Sequence, residues 1–380
     1  MVSYRSQFGF HLDVPLGRGG GVISAQAAER SANKQAEAAA YQEAAALQSA
    51  ALRTSLAYFN AAAAKQRVAL LETTVKREQE LQEIAKALVE ADELAPAEGV
   101  LLAARVAQAE ANLAQARGAY RQAQKELLTQ IGVSATTVED FPDVMETLPP
   151  PPDPEELAIL EEELQKDSAG ILRPEVTAAR LVREASGELA DGARVDLRRD
   201  VRLVFTAFYS GLHESNKTMA VDRIWPDASK AFGRGFTGPS AAVALQFSLP
   251  FVNSFARGRL QSSLALERQA EVRQRDTVRT IGLRSREAWW KLRQREQELG
   301  ARQLAEEAAR ESLETAKELF QAGELSVVDL VLTEEALVAA QLAVVDAQLQ
   351  VAVAKTQLEF ELGRLLPVQV TGFSVVIVGE

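Results

Sequence analysis

The chain has 380 residues, a net charge of −11, no cysteine and only 6% aromatic residues. The acidic balance argues against nucleic acid as a main partner, because phosphate binding wants a basic face, and the lack of cysteine excludes disulfides and thiolate metal sites. Alanine, leucine, glutamate, glutamine and arginine dominate, as in long helices and coiled coils; no run of eighteen apolar residues marks a transmembrane helix, and MVSYRSQFGFHLDV has no apolar centre of signal-peptide type.

Residues 7–16 alternate, with Phe8, Phe10, Leu12, Val14 and Leu16 on one side and Gln7, Gly9, His11 and Asp13 on the other. Period two predicts a strand with one apolar and one polar face. Pro15 and the run Gly17, Gly19, Gly20, Gly21 end it and read as a flexible joint. Val22 to Leu88 contains neither proline nor glycine, which predicts one or two very long helices; a continuous one would reach about 100 Å. A turn is expected around Ala91–Pro96, where Pro96 suits the first turn of a returning helix. That helix ends near Ile131, with Gly132 as its C-cap.

Residues 133–170 carry Pro142, Pro149 to Pro152 and Pro154 and read as a stiff connector, followed by a short helix from Pro154. A further helix is expected within 173–200, with Pro174 near its start. Val201, Leu203, Phe205, Ala207 and Tyr209 share a face of a second strand. A polar loop between Ser210 and Pro239, containing His213, Trp225 and Phe236, leads to a third. There Val243, Leu245, Phe247, Leu249 and Phe251 oppose Ala242, Ala244, Gln246 and Ser248. No proline follows between Pro250 and Pro367, so a second long helical lap is expected, and VTGFSVVIVGE ends the chain as a short strand.

The two laps repeat one another. Leu330, Leu337, Val344, Val351 and Leu358 fall every seven residues, with Ala340, Ala347 and Ala354 between them. Subtracting 231 gives Val106, Leu113, Tyr120 and Leu127, with Ala109, Ala116 and Ala123. The openings match too, AKALVEADELAP against AKELFQAGELSV. Heptad spacing implies a left-handed supercoil, and small residues let axes approach closely. Three strands cannot close a barrel with satisfied edges, so the economical solution is several chains donating strands to one barrel and helices to one tube. Two readings of the strand faces remain open. In one, Phe8, Phe10, Phe205, Tyr209 and Phe247 face lipid while Gln7, His11, Asp13, Gln246 and Ser248 line a wet lumen. In the other they form an ordinary half-buried sheet.

The junctions LDVPLGRGGG and FSLPFVNSFARGRL, the tip AKELFQAGELSVVDLVLTEEAL with its continuation QLAVVDAQLQVAVAKTQLEFELG, and the helix start RPEVTAARLVREASGEL resemble the TolC-like outer-membrane efflux family. The likeness covers nearly the whole chain and rests on the order and twofold occurrence of the motifs. It implies a mainly α fold with a small β part and an internal duplication. Long antiparallel coiled-coil helices would form a periplasmic α-barrel, and strands would join a trimeric transmembrane β-barrel. The implied segments are 1–16 (strand), 17–132 (first helical hairpin), 133–170 (equatorial connector), 171–200 (helix), 201–251 (β-hairpin), 252–364 (second helical hairpin) and 365–380 (equatorial tail). The family pattern places a helix, a strand and a loop before Phe8, so the chain is expected to have lost them together with a signal peptide.

The implied role is a passive exit duct of a tripartite efflux pump or type I secretion system, not an enzyme. The implied partners are outer-membrane lipid, two further copies of the chain, a periplasmic adaptor and an inner-membrane pump. Asp329 sits where the family carries the first of two entrance acids, whereas Leu332 occupies the second position. Glu98 is the partner of Asp329 at the offset of 231. Rings of Asp329 and Glu98 at a periplasmic constriction are one expectation; plain helix N-terminal acids are the other. Asp92, Glu93 and Leu94 in the first tip, and Ala322, Gly323, Glu324, Leu325 and Ser326 in the second, are the expected adaptor contacts, against a plain solvated turn. Asp92 stands where the second tip has Gly323, so different caps are expected.

His11 and His213 lie on separate elements, and no metal or cofactor site is expected. Of the adjacent Trp289 and Trp290, one is expected to pack and the other to lie at an interface. Arg194, Arg198 and Arg199 suit either a headgroup rim or a solvated face. No P-loop, G-x-S-x-G or H-E-x-x-H motif occurs, and GRGGG lacks the βαβ context of a dinucleotide site. A soluble periplasmic coiled-coil scaffold or adaptor is the alternative function.

Overall fold

A computed structural model describes residues 2–92, 95–133, 143–144, 147–165, 173–215, 226, 236–248, 253–366, 368–371 and 374–377. Its elements are β1 (Val2–Pro15), α1 (Val22–Ala25), α2 (Ala27–Glu90), α3 (Pro96–Ile131), α4 (Pro154–Gln165), α5 (Pro174–Val195), β2 (Asp200–Ser215), β3 (Phe236–Ser248), α6 (Ser254–Gln321), α7 (Val327–Glu361), β4 (Val368–Thr371) and β5 (Ser374–Ile377). The order strand, long helix, tight turn, returning helix occurs twice. The paired helices are 64 and 36 residues long in the first pass and 68 and 35 in the second. The fold is mainly α with few strands.

The chain divides into two compact units, one of Met1–Ala39 with Ala178–Arg275 and one of Ala40–Thr177 with Asp276–Glu380. In the first unit β1, β2 and β3 form an antiparallel sheet in that order. Phe8 pairs with Tyr209, Leu12 with Phe205, Phe205 with Val243 and Val201 with Phe247. The strands run further than their alternation indicates. β2 continues through Gly211 to Ser215, because Val2 to Arg5 of β1 extend the pairing where side-chain pattern fades, and β3 begins at Phe236, opposite Gly211. Leu249 and Phe251 lie outside the described residues. The glycine run after β1 is a fixed turn, not a loose joint. Leu16 and Gly17 donate to Val201 O, Arg18 donates to Arg199 O, and a Cβ on Gly17 would stand 2.1 Å from Arg199 O. Helix α5 packs beside α2 through Gly192, where an added Cβ would meet Ala27 Cβ at 2.7 Å.

The second unit holds the helical seams. Leu330, Leu337, Val344, Val351 and Leu358 are all buried, as are Val106, Leu113, Leu127 and Ala109. Leu292 and Leu299 of α6 meet Val344, Val351 and Leu358 of α7, with Leu160 of α4 laid against them. Ala61, Ala62 and Ala63 of α2 are enclosed by Leu127, Val345, Ala352, Val144 and Leu148. The connector is thus pinned where it is described: Lys65 Nζ lies 2.8 Å from Asp143 Oδ2, and Tyr120 Oη donates to Asp143. Trp289 is buried and Trp290 exposed. The chain's end is a two-stranded hairpin, β4 with β5, where one strand was expected. Helix α7 is long and apolar enough to cross a membrane by composition, with mean hydropathy 1.6 over its most apolar window, although charged residues interrupt any pure apolar run. Its heptad positions pack against the other helices of its unit.

Candidate functional site

Two places bring the sequence-predicted residues together, one in each unit. In the first unit, register and pleat set Phe8, Phe10, Phe205, Tyr209 and Phe247 on one face with Leu12, Leu203, Val243 and Leu245. Phe8 is 72% exposed and Phe247 64%, whereas Phe205 and Tyr209 of the central strand are half-buried. Nothing among the described residues covers this face. Gln7, His11, Asp13, Gln246 and Ser248 lie on the opposite face and are exposed. Arg202 shares that face, 3.0 Å from Asp200 and 3.5 Å from Asp13. The polar face is mixed, since Val204, Phe208, Ala242 and Ala244 belong to it. The outer edges of β1 and β3 have no strand partner among the described residues. The side chain of His213 lies outside the described ones. Arg194 pairs with Asp191 on α5.

In the second unit the two tips lie side by side. The second closes as a paired-hydrogen-bond cap: Gly323 N donates to Phe320 O (3.0 Å) and Glu324 N to Leu319 O (2.9 Å), with Gly323 at φ 76. In the first tip Asp92 N donates to Val89 O (3.2 Å), and Asp92 itself takes φ 62. Both tips therefore turn through the left-handed region, one with glycine and one with aspartate, which tolerates it better than most residues. Glu93 and Leu94 lie outside the described residues. Ala322, Glu324 and Ser326 are exposed and Leu325 is half-buried.

Asp329 and Glu98 each occupy the third position of a returning helix. Ser326 caps α7: its Oγ accepts from Asp329 N (3.2 Å) and donates to Asp329 Oδ2 (2.7 Å). The carboxylate of Asp329 is thereby held at an exposed helix start. Glu98 has no capping side chain before it; Ala95 precedes Pro96. Glu98 instead lines a recess of about 480 Å³ with Ile84, Leu88, Phe320, Leu325 and Ser326. The structure brings Glu98 to the second tip, and Asp329 does not line that recess. Leu332, three residues after Asp329, is exposed.

Sequence reasoning passed over the charges buried inside the bundle. Glu334 of α7 and Glu78 of α2 are buried close above the tips. Arg173 and Glu361 are a buried pair, with Glu175 beside them and the Phe360 ring 4.5 Å from the guanidinium. A signal existed for each acid. Glu334 stands four residues after Leu330 and three before Leu337, on their side of the helix, and Glu78 stands three after Val75 and seven before Ala85, on theirs. Among the described residues no cluster of three or more metal-ligating side chains occurs.

Comparison with known proteins was made on sequence and on fold. The family profile of the outer membrane efflux protein matches residues 167–364. A membrane protein from Pseudomonas aeruginosa has TM-score 0.69 and 17% identity, over 95% of this chain and 84% of that one. The outer membrane protein VceC of Vibrio cholerae has TM-score 0.69 and 15% identity, over 95% and 87%. The CmeC outer membrane channel of Campylobacter jejuni has TM-score 0.70 and 13% identity, over 96% and 78%. Comparison with curated protein sequences gives no significant match.

Proposed function

We infer the working of this chain from one premise: it belongs to the outer membrane efflux protein family. The role is that of an efflux duct in the outer membrane. Three copies of the chain assemble, each placing the apolar face of its sheet against lipid and its polar face against a water-filled lumen. The helical hairpins of the three copies together make a tunnel in the periplasm. Their tips meet a periplasmic adaptor, which links the duct to an inner-membrane pump. Conduction is passive, because binding along the path must be weak enough to release what enters. At the tips Asp329, held by Ser326, and Glu98 contribute carboxylates from each copy to an entrance that favours cations.

The observation that carries this reading is the sheet. From Phe8 to Val14 of β1 and across its partners it has one apolar face and one largely polar face, and its two edges have no strand partner among the described residues. An exposed apolar face with unpaired edges is costly in water and is satisfied in lipid once neighbouring strands complete a closed barrel. The test is extraction. The protein made in a Gram-negative host is expected in the outer-membrane fraction, released only by detergent, as a heat-resistant trimer on a denaturing gel. A monomer that leaves the periplasm without detergent would replace the duct by a soluble scaffold.

A further inference from the structure

A seam of charge crosses the helices of the second unit about one to three turns above the tips. Arg77 and Glu78 come from α2, Arg105 from α3, Lys317 from α6, and Glu334 and Glu335 from α7. Arg77 Nε lies 3.5 Å from Glu334 Oε1, and Arg105 pairs with Glu335. Both links run from the first helical hairpin to the second. Glu334 is only 2% exposed and Glu78 only 5%. In each, Oε2 is buried and accepts no hydrogen bond from any described residue. Glu334 borders a recess of about 260 Å³ with Arg77, Glu80, Lys317 and Phe320. Glu78 borders one of about 240 Å³ with Thr74, Arg105, Asn112 and Glu335.

Each carboxylate has given up water and regained only part of that loss in protein contacts. Burial pushes Glu334 above the ordinary carboxyl range, against the pull of Arg77 and Lys317. Burial pushes Glu78 the same way and the charge of Glu334 adds to it, while Arg105 and Arg77 oppose. The two acids thus work against each other across the joint that their neighbours hold together.

We propose that Glu78 and Glu334 form a proton-operated clasp between the two helical hairpins. With both carboxyls neutral the hairpins close on each other; with both ionised the joint loosens and admits water. The sign follows from linkage. An opened joint returns the carboxyls to water and to their ordinary range, so closing takes up protons. Above the raised values closure bears the full cost of burying two charges. That cost falls away as pH drops through them, and pH ceases to matter below the ordinary carboxyl range. The closing equilibrium shifts by up to about tenfold per pH unit for each proton taken up. A clasp made of the Arg77–Glu334 ion pair alone would do the opposite and loosen in acid. The proposal rests on helix packing and stands whether or not the chain conducts.

The lack of cysteine in the chain makes the test clean. In the full chain in detergent, Val331→Cys reports on the closed joint, being 1% exposed and packed with Ala85 and Leu102. Val100→Cys, at a position 71% exposed, serves as the reference. The quantity read is the ratio of their alkylation rates between roughly pH 8.5 and 5.5, where proton uptake of at least one third of a charge suffices for a tenfold change. The expected result is a ratio that falls at least about tenfold on acidification. With Glu78→Gln and Glu334→Gln together the ratio should stay low and flat. Each single Gln variant, which disturbs folding less, should weaken the slope. A flat ratio in the parent, a ratio that rises in acid, or a slope kept by the Gln variants would overturn the clasp.

Discussion

Asp329 draws its meaning from a single hydroxyl. Ser326 holds its carboxylate at the first turn of α7, 2.7 Å away, so the charge has a defined place at the tip. If three such carboxylates line the entrance, Asp329→Ala in the reconstituted trimer removes cation preference and block by divalent ions. Selectivity and block that survive the change would mean that the acid only caps its helix. Glu361 offers a contrast, because its charge is buried and paired. Arg173 is left with Glu175 and the Phe360 ring once Glu361 is gone. Glu361→Ala is therefore expected to cost about 3 kcal/mol, the usual penalty of stranding a buried partner. Chemical denaturation of the parent and the variant measures it; a loss below 1 kcal/mol would show that Glu175 alone satisfies the guanidinium.

Among the elements, α5 and α2 meet at a contact with no room for a methyl group. Gly192→Ala drives a Cβ to 2.7 Å from that of Ala27. The expected cost is about 1–3 kcal/mol, as for other overpacked sites. Adding Ala27→Gly should return most of it, and a thermal melt of the three variants reads both effects. The elements themselves were legible because proline and glycine punctuate the chain. Pro96, Gly132, Pro154 and Pro174 mark helix ends where the structure has them, and the heptad leucines and valines of α7 are all buried. Other features were not legible. Asp92 aligns with Gly323, but the change of residue pointed to different caps rather than to the left-handed turn that both take. The outer part of β2 carries no alternation, since its pairing comes from the backbone of β1. The acids of the seam were visible as letters, but a regular apolar rhythm hides a charged residue that falls on the beat.

For the whole molecule the decisive question is how many chains make the working unit. Leu283, Trp290 and Leu304 on α6 are exposed, and their separations are multiples of seven, so they form one stripe of the second unit. A stripe of that kind suits a neighbouring helix from another copy. Trp290→Glu with Leu304→Glu should shift the detergent-extracted protein from trimer toward monomer in sedimentation, with its helix content unchanged. A trimer unaffected by both charges would place the contact between copies elsewhere. The apolar sheet face and the unsatisfied edges were foreseeable from period-two alternation and the strand count, whereas which strands carry those edges among the described residues appeared only with the pairing order.

Ala61, Ala62 and Ala63 are consecutive and buried, so most of α2's circumference is packed at that level and the side of Asn60 stays exposed. Successive residues on a helix point about 100° apart, and three in a row already sweep most of its circumference. Helix α2 therefore passes through a collar whose bore is set by how closely backbones approach. The collar selects by size rather than by polarity: serine or glycine would pass, and valine would jam. At this level of α2 side-chain volume, rather than charge or register, therefore decides which substitutions the packing accepts.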